Sequence, residues 1–209
     1  MIQQGARGYL QRLCELVLRV AVTNQDGSLY NLDAGATLAV EMILSVQSGG
    51  KKVMIIGNGG SDAIASHLQT DLFSAVGVRA LAFNGPGMLT ALSNDYGYEC
   101  VFERPIRLWA SAGDVLVAIS SSGRSENILR AVEAARVREC KIITFSGFRV
   151  DNPLRKLGDL NFYVPSETYG FVEVAHAAFA HFLADRAVML RLQQVPQVTT
   201  EVWMPGERY

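Results

Sequence analysis

An α/β fold, with a parallel sheet covered by helices on both faces, is what this 209-residue chain predicts. Three observations carry the prediction. From residue 52 onward, strand-like and helix-like segments alternate, the pattern of βαβ units. The strand candidates are nearly unbroken apolar runs, as expected where both faces of a sheet are buried. Two of the strand-to-helix junctions are rich in glycine or serine, the residues that tight turns and helix starts favour.

The elements follow in order. A helix over about 6–23 places Tyr9, Leu10, Cys14, Leu16 and Val17 at helical spacing, and a second covers about 32–48. Asn24-Gln25-Asp26-Gly27-Ser28 between them reads as a loop. Strands are expected over 52–57, 79–83, 114–119, 141–145 and 160–164, and helices over 61–74, 87–94, 98–110, 124–138 and 170–193. Residues 194–209 lack helical periodicity and read as an extended tail. A chain of this length fills one core and leaves little room for two. No internal repeat or low-complexity tract interrupts it.

Composition excludes several classes of function. A net charge of −1 gives no basic nucleic-acid surface, and no run of eighteen apolar residues predicts a membrane span. The first twenty residues lack a cationic start followed by an unbroken apolar stretch, so a cytoplasmic protein is expected. Cys14, Cys100 and Cys140 are odd in number and sit in apolar segments, which reads as small buried residues rather than a disulfide framework.

The chemistry begins at Val53–Asp71. A β-branched strand feeds Gly57-Asn58-Gly59-Gly60-Ser61, a turn that suits an anion at a helix N-terminus or is simply a tight turn. It is not the dinucleotide fingerprint, and no Walker lysine accompanies it, so no nucleotide cofactor is expected. A second junction, Ser120-Ser121-Ser122-Gly123-Arg124-Ser125, opens another helix. One serine suffices to cap a helix; four within six residues exceed that need and point to a phosphate. In a parallel sheet both junctions fall at the carboxyl ends of strands, where open α/β folds bind ligands.

The three histidines are His67, His176 and His181. His67 and Asp71 lie four apart, on one face of the helix that leaves the first turn. Glu173, His176 and His181 share the last long helix with apolar neighbours, where a carboxylate needs a partner. Two histidines and two carboxylates make a mixed N/O site for a divalent metal such as zinc, or equally an acid and a base. Helical spacing pairs Glu173 with His176, since Glu173 and His181 are roughly 12 Å apart along an ideal axis.

Taken together, Gly57–Ser61 with His67 and Asp71, then Asn94-Asp95-Tyr96-Gly97, then Ser120–Ser125, and the helix with Glu173, His176 and His181 resemble the sugar isomerase (SIS) domain family, in its phosphoheptose isomerase branch. The resemblance implies a three-layer, flavodoxin-like fold with a five-stranded parallel sheet and additional N-terminal helices. A single SIS domain would span 1–193, with 1–50 as a helical oligomerisation segment and 194–209 as a C-terminal tail. It implies a homotetramer with shared active sites and one zinc per site. The ligands would be His67, Asp71, Glu173 and His181, which prefers His181 over His176 against the spacing argument; an irregular helix or a site crossing a subunit boundary would reconcile the two.

By the same resemblance Ser120, Ser121, Ser122 and Ser125 hold the phosphate, and Asn58, Gly59, Gly60 and Ser61, with Asn94, Asp95 and Glu173, contact the sugar. Asp71 is the base and His181 the acid of an aldose–ketose isomerisation, that of sedoheptulose 7-phosphate through an enediol. Four positions depart from the family pattern: Asp71 stands for Glu, Glu173 for Gln, Gly170 for an acidic residue, and Ile64 for Asp. Alternative functions are a non-catalytic SIS regulator that binds a replication initiator protein, a sugar-phosphate-sensing regulator, and an isomerase of hexulose or pentulose phosphates. Polar residues at all four acid/base and metal positions favour an enzyme.

Overall fold

The computed structural model describes residues 5–194, which form a three-layer α/β domain. Its elements run α1 (Ala6–Leu18), β1 (Ala21–Thr23), β2 (Leu29–Tyr30), α2 (Leu32–Leu44), β3 (Val53–Gly57), α3 (Gly60–Asp71), β4 (Ala80–Ala82), α4 (Pro86–Tyr96), α5 (Glu103–Trp109), β5 (Val115–Ser120), α6 (Glu126–Val137), β6 (Lys141–Ser146), β7 (Leu160–Tyr163) and α7 (Tyr169–Gln194). The expected tail, 194–209, lies outside the described residues except for its first position, which ends α7.

The sheet has seven strands in the order β2-β1-β7-β6-β5-β3-β4. Strands β3 to β7 are parallel and account for the five expected from the sequence. Their spatial order, second-first-third-fourth-fifth, is doubly wound and has its switch point between β3 and β5.

The expected sheet size is corrected by two strands, and the first helix by its last turn. Helix α1 stops at Leu18, and Ala21–Thr23 pair antiparallel with β7 in the register Ala21↔Tyr163 and Thr23↔Asn161. Val20 and Val22 are buried there, so β-branched residues that fit either pattern are taken by the open sheet edge. Asn161, fully buried, donates to the Thr23 carbonyl at 3.2 Å and locks the join. The loop at 24–28 becomes a hairpin turn: Asn24 N donates to Ser28 O at 3.1 Å, and Gly27 supplies φ 83°.

Alternation along each strand divides the core. Val53, Ile55, Val115, Val117, Ile143 and Phe145 face α2, α3 and α7, whereas Met54, Ile56, Leu116 and Ile142 face α5 and α6. Each fully buried Ile or Leu contributes about 1.5–3 kcal/mol, so two such layers hold the strand ends in place. At the amino-terminal edge, buried Asp114 accepts from Lys52 Nζ at 2.6 Å, Lys52 N at 3.0 Å and Ser111 N at 2.8 Å. The opposite, carboxyl edge is left for ligands. No helix among the described residues is long and apolar enough to cross a membrane.

Candidate active site

The two turns predicted from glycine and serine meet at the switch point, because Gly57 and Ile119 are register partners on β3 and β5. Gly57 is required by close approach: a Cβ there would lie 2.5 Å from the Ser61 carbonyl carbon and oxygen. Gly59, the N-cap of α3, adopts φ 56°, a region that favours glycine. Across the cleft, Gly123 adopts φ 62° and lies against the side chain of Asn152. Asn152 is fully buried and donates to Gly147 O at 3.1 Å and Arg149 O at 2.9 Å, so the serine loop rests on a fixed support.

The resulting pocket, about 230 Å³, is lined by Asn58, Gly59, Gly60, Ser61, Ser120, Ser121, Ser122, Ser125, Tyr169 and Glu173. The N-termini of α3 and α6 open on it, and both dipoles favour an anion. Ser125 occupies the N-cap of α6 yet makes no capping bond through its side chain. Its hydroxyl stands 3.4 Å from that of Ser120, and the buried Ser121 hydroxyl has no hydrogen-bond partner among the described residues. The hydroxyls are therefore not consumed by helix capping. They form a donor-rich cradle. Arg124 turns outward to Asp151, 4.0 Å away, and does not line the pocket.

Farther along the same helices lies a second group. Asp71 Oδ2 is 3.4 Å from His67 Nε2 and 3.5 Å from His181 Nδ1, and the two imidazoles meet edge-on with centroids 4.7 Å apart. One ligand atom from each residue lies within 4.8 Å of the others. Two nitrogens and one carboxylate oxygen, with an open side, are a donor set that suits zinc in a catalytic site. The group is open: the side chains of His67 and His181 are 60% and 55% exposed.

Glu173, expected as the fourth ligand, is not within that group. It lies in the serine pocket, its carboxylate 2.5–2.7 Å from where a Cβ on Gly60 would stand. Helix α7 runs unbroken from Tyr169 to Gln194, so Glu173 and His181 stay about 12 Å apart and an irregular helix does not reconcile them. His176 is neither a ligand nor a partner of Glu173 here. It is buried against Phe145, with Nε2 3.2 Å from Ser146 O and Nδ1 unpartnered among the described residues. Burial lowers its pKa to about 4, so it is neutral at pH 7. Asn94 and Asp95 bond to each other at 3.0 Å on the exposed end of α4 and do not line the pocket of their own chain.

Residues the motifs did not single out also shape the site. Tyr169 lines the pocket one helical turn before Glu173, a spacing that could have flagged it. Asn127 and Tyr98 both bond to Asn58, at 2.9 Å, and no local pattern announces either. Behind the first turn, burial raises the Asp62 carboxyl above its ordinary pKa, opposed by a hydrogen bond from Asn84 at 2.8 Å.

Comparison with known proteins agrees with this geometry. The SIS domain family matches residues 25–147. A phosphoheptose isomerase of Aliarcobacter butzleri is 34% identical over 173 residues, covering 80% of this chain and 87% of its relative. One from a Nitratiruptor species is 40% identical over 139 residues, 64% of this chain and 74% of that protein. Among solved structures, phosphoheptose isomerase from Neisseria gonorrhoeae superimposes with a TM-score of 0.77 at 27% identity, covering 90% of this chain and 99% of the other. The Francisella tularensis enzyme gives 0.75 at 26% identity, with 88% and 96% covered.

Proposed function

The chain belongs to the SIS domain family, in its phosphoheptose isomerase branch, and from that premise we propose that it interconverts sedoheptulose 7-phosphate and D-glycero-D-manno-heptose 7-phosphate. The observation that carries the proposal is a serine-lined pocket of about 230 Å³ at the sheet's switch point, with an acid/base group on the same two helices that frame it. A phosphate held by Ser120, Ser121, Ser122 and Ser125 fixes one end of the sugar, so the carbonyl end has a defined place to react.

Isomerisation moves a proton between two adjacent carbons. Asp71 removes a proton from C1 of the ketose while His181 gives one to the C2 oxygen, which leaves an enediol. Asp71 then returns its proton to C2, and O1 gives its own to His181, which restores the acid and yields the aldose. The 3.5 Å separation of His181 Nδ1 from Asp71 orients the imidazole and leaves its Nε2 for substrate. His67, Asp71 and His181 would hold a zinc ion, whose bound form supplies Lewis-acid polarisation of a carbonyl. Asn58, Gly59, Gly60 and Ser61 contact the reacting end, and Glu173 the sugar.

Along α3 the acid/base group lies roughly 10–16 Å from Gly60, and Glu173 is held apart from it. A homotetramer with shared sites accommodates both facts, bringing one copy's serine pocket, with its Glu173, and another's Asn94 and Asp95 to the cluster. Exposed Leu10 and Leu18 on α1, and Val174, Phe182 and Met189 on α7, support such an assembly. The three cysteines are free, which suits the reducing cytoplasm, but only Cys140 is buried as expected; Cys100 is half-buried and Cys14 exposed on α1. NMR detection of the aldose from sedoheptulose 7-phosphate, beside five- and six-carbon ketose phosphates and with or without chelator, tests the proposal. A wild-type protein that converts none of them overturns it.

A further inference from the structure

The two turns of the pocket are joined by side chains as well as by the sheet. Asn58, at the end of β3, and Asn127, in the first turn of α6, form a reciprocal amide pair: each Nδ2 donates to the other's Oδ1 at 2.9 Å. Tyr98, from the short 3₁₀ turn after α4, donates its hydroxyl to the same Asn58 Oδ1 at 2.9 Å. Asn127 is 3% exposed, whereas the tyrosine is 52% exposed.

A carboxamide has two acceptor lone pairs and two donor hydrogens. Both acceptor sites of Asn58 are filled by Tyr98 and Asn127, and one hydrogen is spent on Asn127. One N–H is left, on a side chain that lines the pocket. Its direction is set by two residues that do not line the pocket themselves. We propose that Asn127 and Tyr98 are positioning residues for the isomerisation: they lock the Asn58 amide so that its remaining N–H meets the reacting end of the sugar rather than the phosphate. Tyr98 also fastens the segment following α4, none of whose helical residues is buried, to the pocket wall.

The inference rests on the isomerase reading above, and its test separates the two. Tyr98→Phe removes one oxygen from a half-exposed side chain and leaves the fold intact. Loss of one hydrogen bond predicts a roughly three- to tenfold fall in kcat/KM, carried mainly by kcat. The competitive inhibition constant of inorganic phosphate stays within about twofold, because the serine cradle is untouched. Asn127→Ala behaves the same way with a larger fall. In an Asn58→Ala background both substitutions become silent, since they act through that amide. A merely structural role would give equal losses in both backgrounds, and that result, or no loss at all, overturns the inference. If the wild-type protein turns over no phosphosugar, the isomerase reading fails. The same cycle is then read by calorimetry as affinity for sedoheptulose 7-phosphate relative to inorganic phosphate. Additive effects there, or no sugar-specific affinity, overturn the positioning role.

Discussion

The serine pocket and the His67–Asp71–His181 group share two helices but are built on opposite terms. The pocket is made of turns at strand ends, with Asn152 beneath one turn and Asn127 bridging to the other. The second group consists of side-chain tips on the surface of α3 and α7, two of them more than half exposed. Holding a phosphate needs many fixed donors, and a single chain can supply all of them at its sheet edge. Moving a proton needs few groups in a dry, closed space, and a single chain leaves these groups open to water. The serine pocket is walled within one copy, whereas the His67–Asp71–His181 group lies open on its surface.

The largest effect expected from this contrast is in the chemistry alone. Asp71→Asn or His181→Ala should lower kcat by about 10²–10⁴ while inorganic phosphate still binds with wild-type affinity by calorimetry. If both properties fell together, the two regions would not be separable. Next is acid stability, which should depend on the pocket side. His176 is held near 4 in the folded protein against about 6.5 unfolded, so only the unfolded chain takes up its proton between those values. Stability from this group is whole above pH 6.5 and is lost as pH falls towards 4, by about 3 kcal/mol at most. Denaturant melts of His176→Phe should show a flatter decline over that window, and an unchanged slope would remove His176 as its source.

Gly123→Ala comes third. It puts a side chain at φ 62° and a methyl against Asn152, so about 1–3 kcal/mol of strain should weaken phosphate binding roughly tenfold. The isomerisation step of bound substrate should change less. Smallest is Glu173→Gln. Removing one negative charge at the rim of an anion pocket relieves about 1 kcal/mol of repulsion, a three- to fivefold gain in phosphate affinity. Unchanged phosphate affinity with weakened zinc retention would assign Glu173 to the metal group instead.

The fold was legible because local signals agreed: apolar runs, turn residues and helical spacing all asked for alternating strands and helices. The serine cradle was legible for the same reason, since its excess of hydroxyls lies in six consecutive residues. The N-terminal hairpin was not. Val20 and Val22 suit a helix face as well as a strand, and only the free edge of β7 decides between them. Helical spacing alone did not separate His176 from His181, and only the resemblance preferred His181, the one found beside Asp71. Both sit on one helix among apolar residues, and one faces the core while the other faces α3.

The sequence by itself determined the order of elements, the parallel sheet and the two glycine- and serine-rich turns, because each depends on residues a few positions apart. Only the tertiary structure decided that Glu173 lines the serine pocket apart from Asp71 and His181, and that Asn127 and Tyr98 hold Asn58. Those pairings link residues 69 and 40 positions apart for Asn58, and about 110 for Asp71 and His181. No periodicity reaches so far; such contacts exist only once the sheet has brought its strand ends and covering helices together.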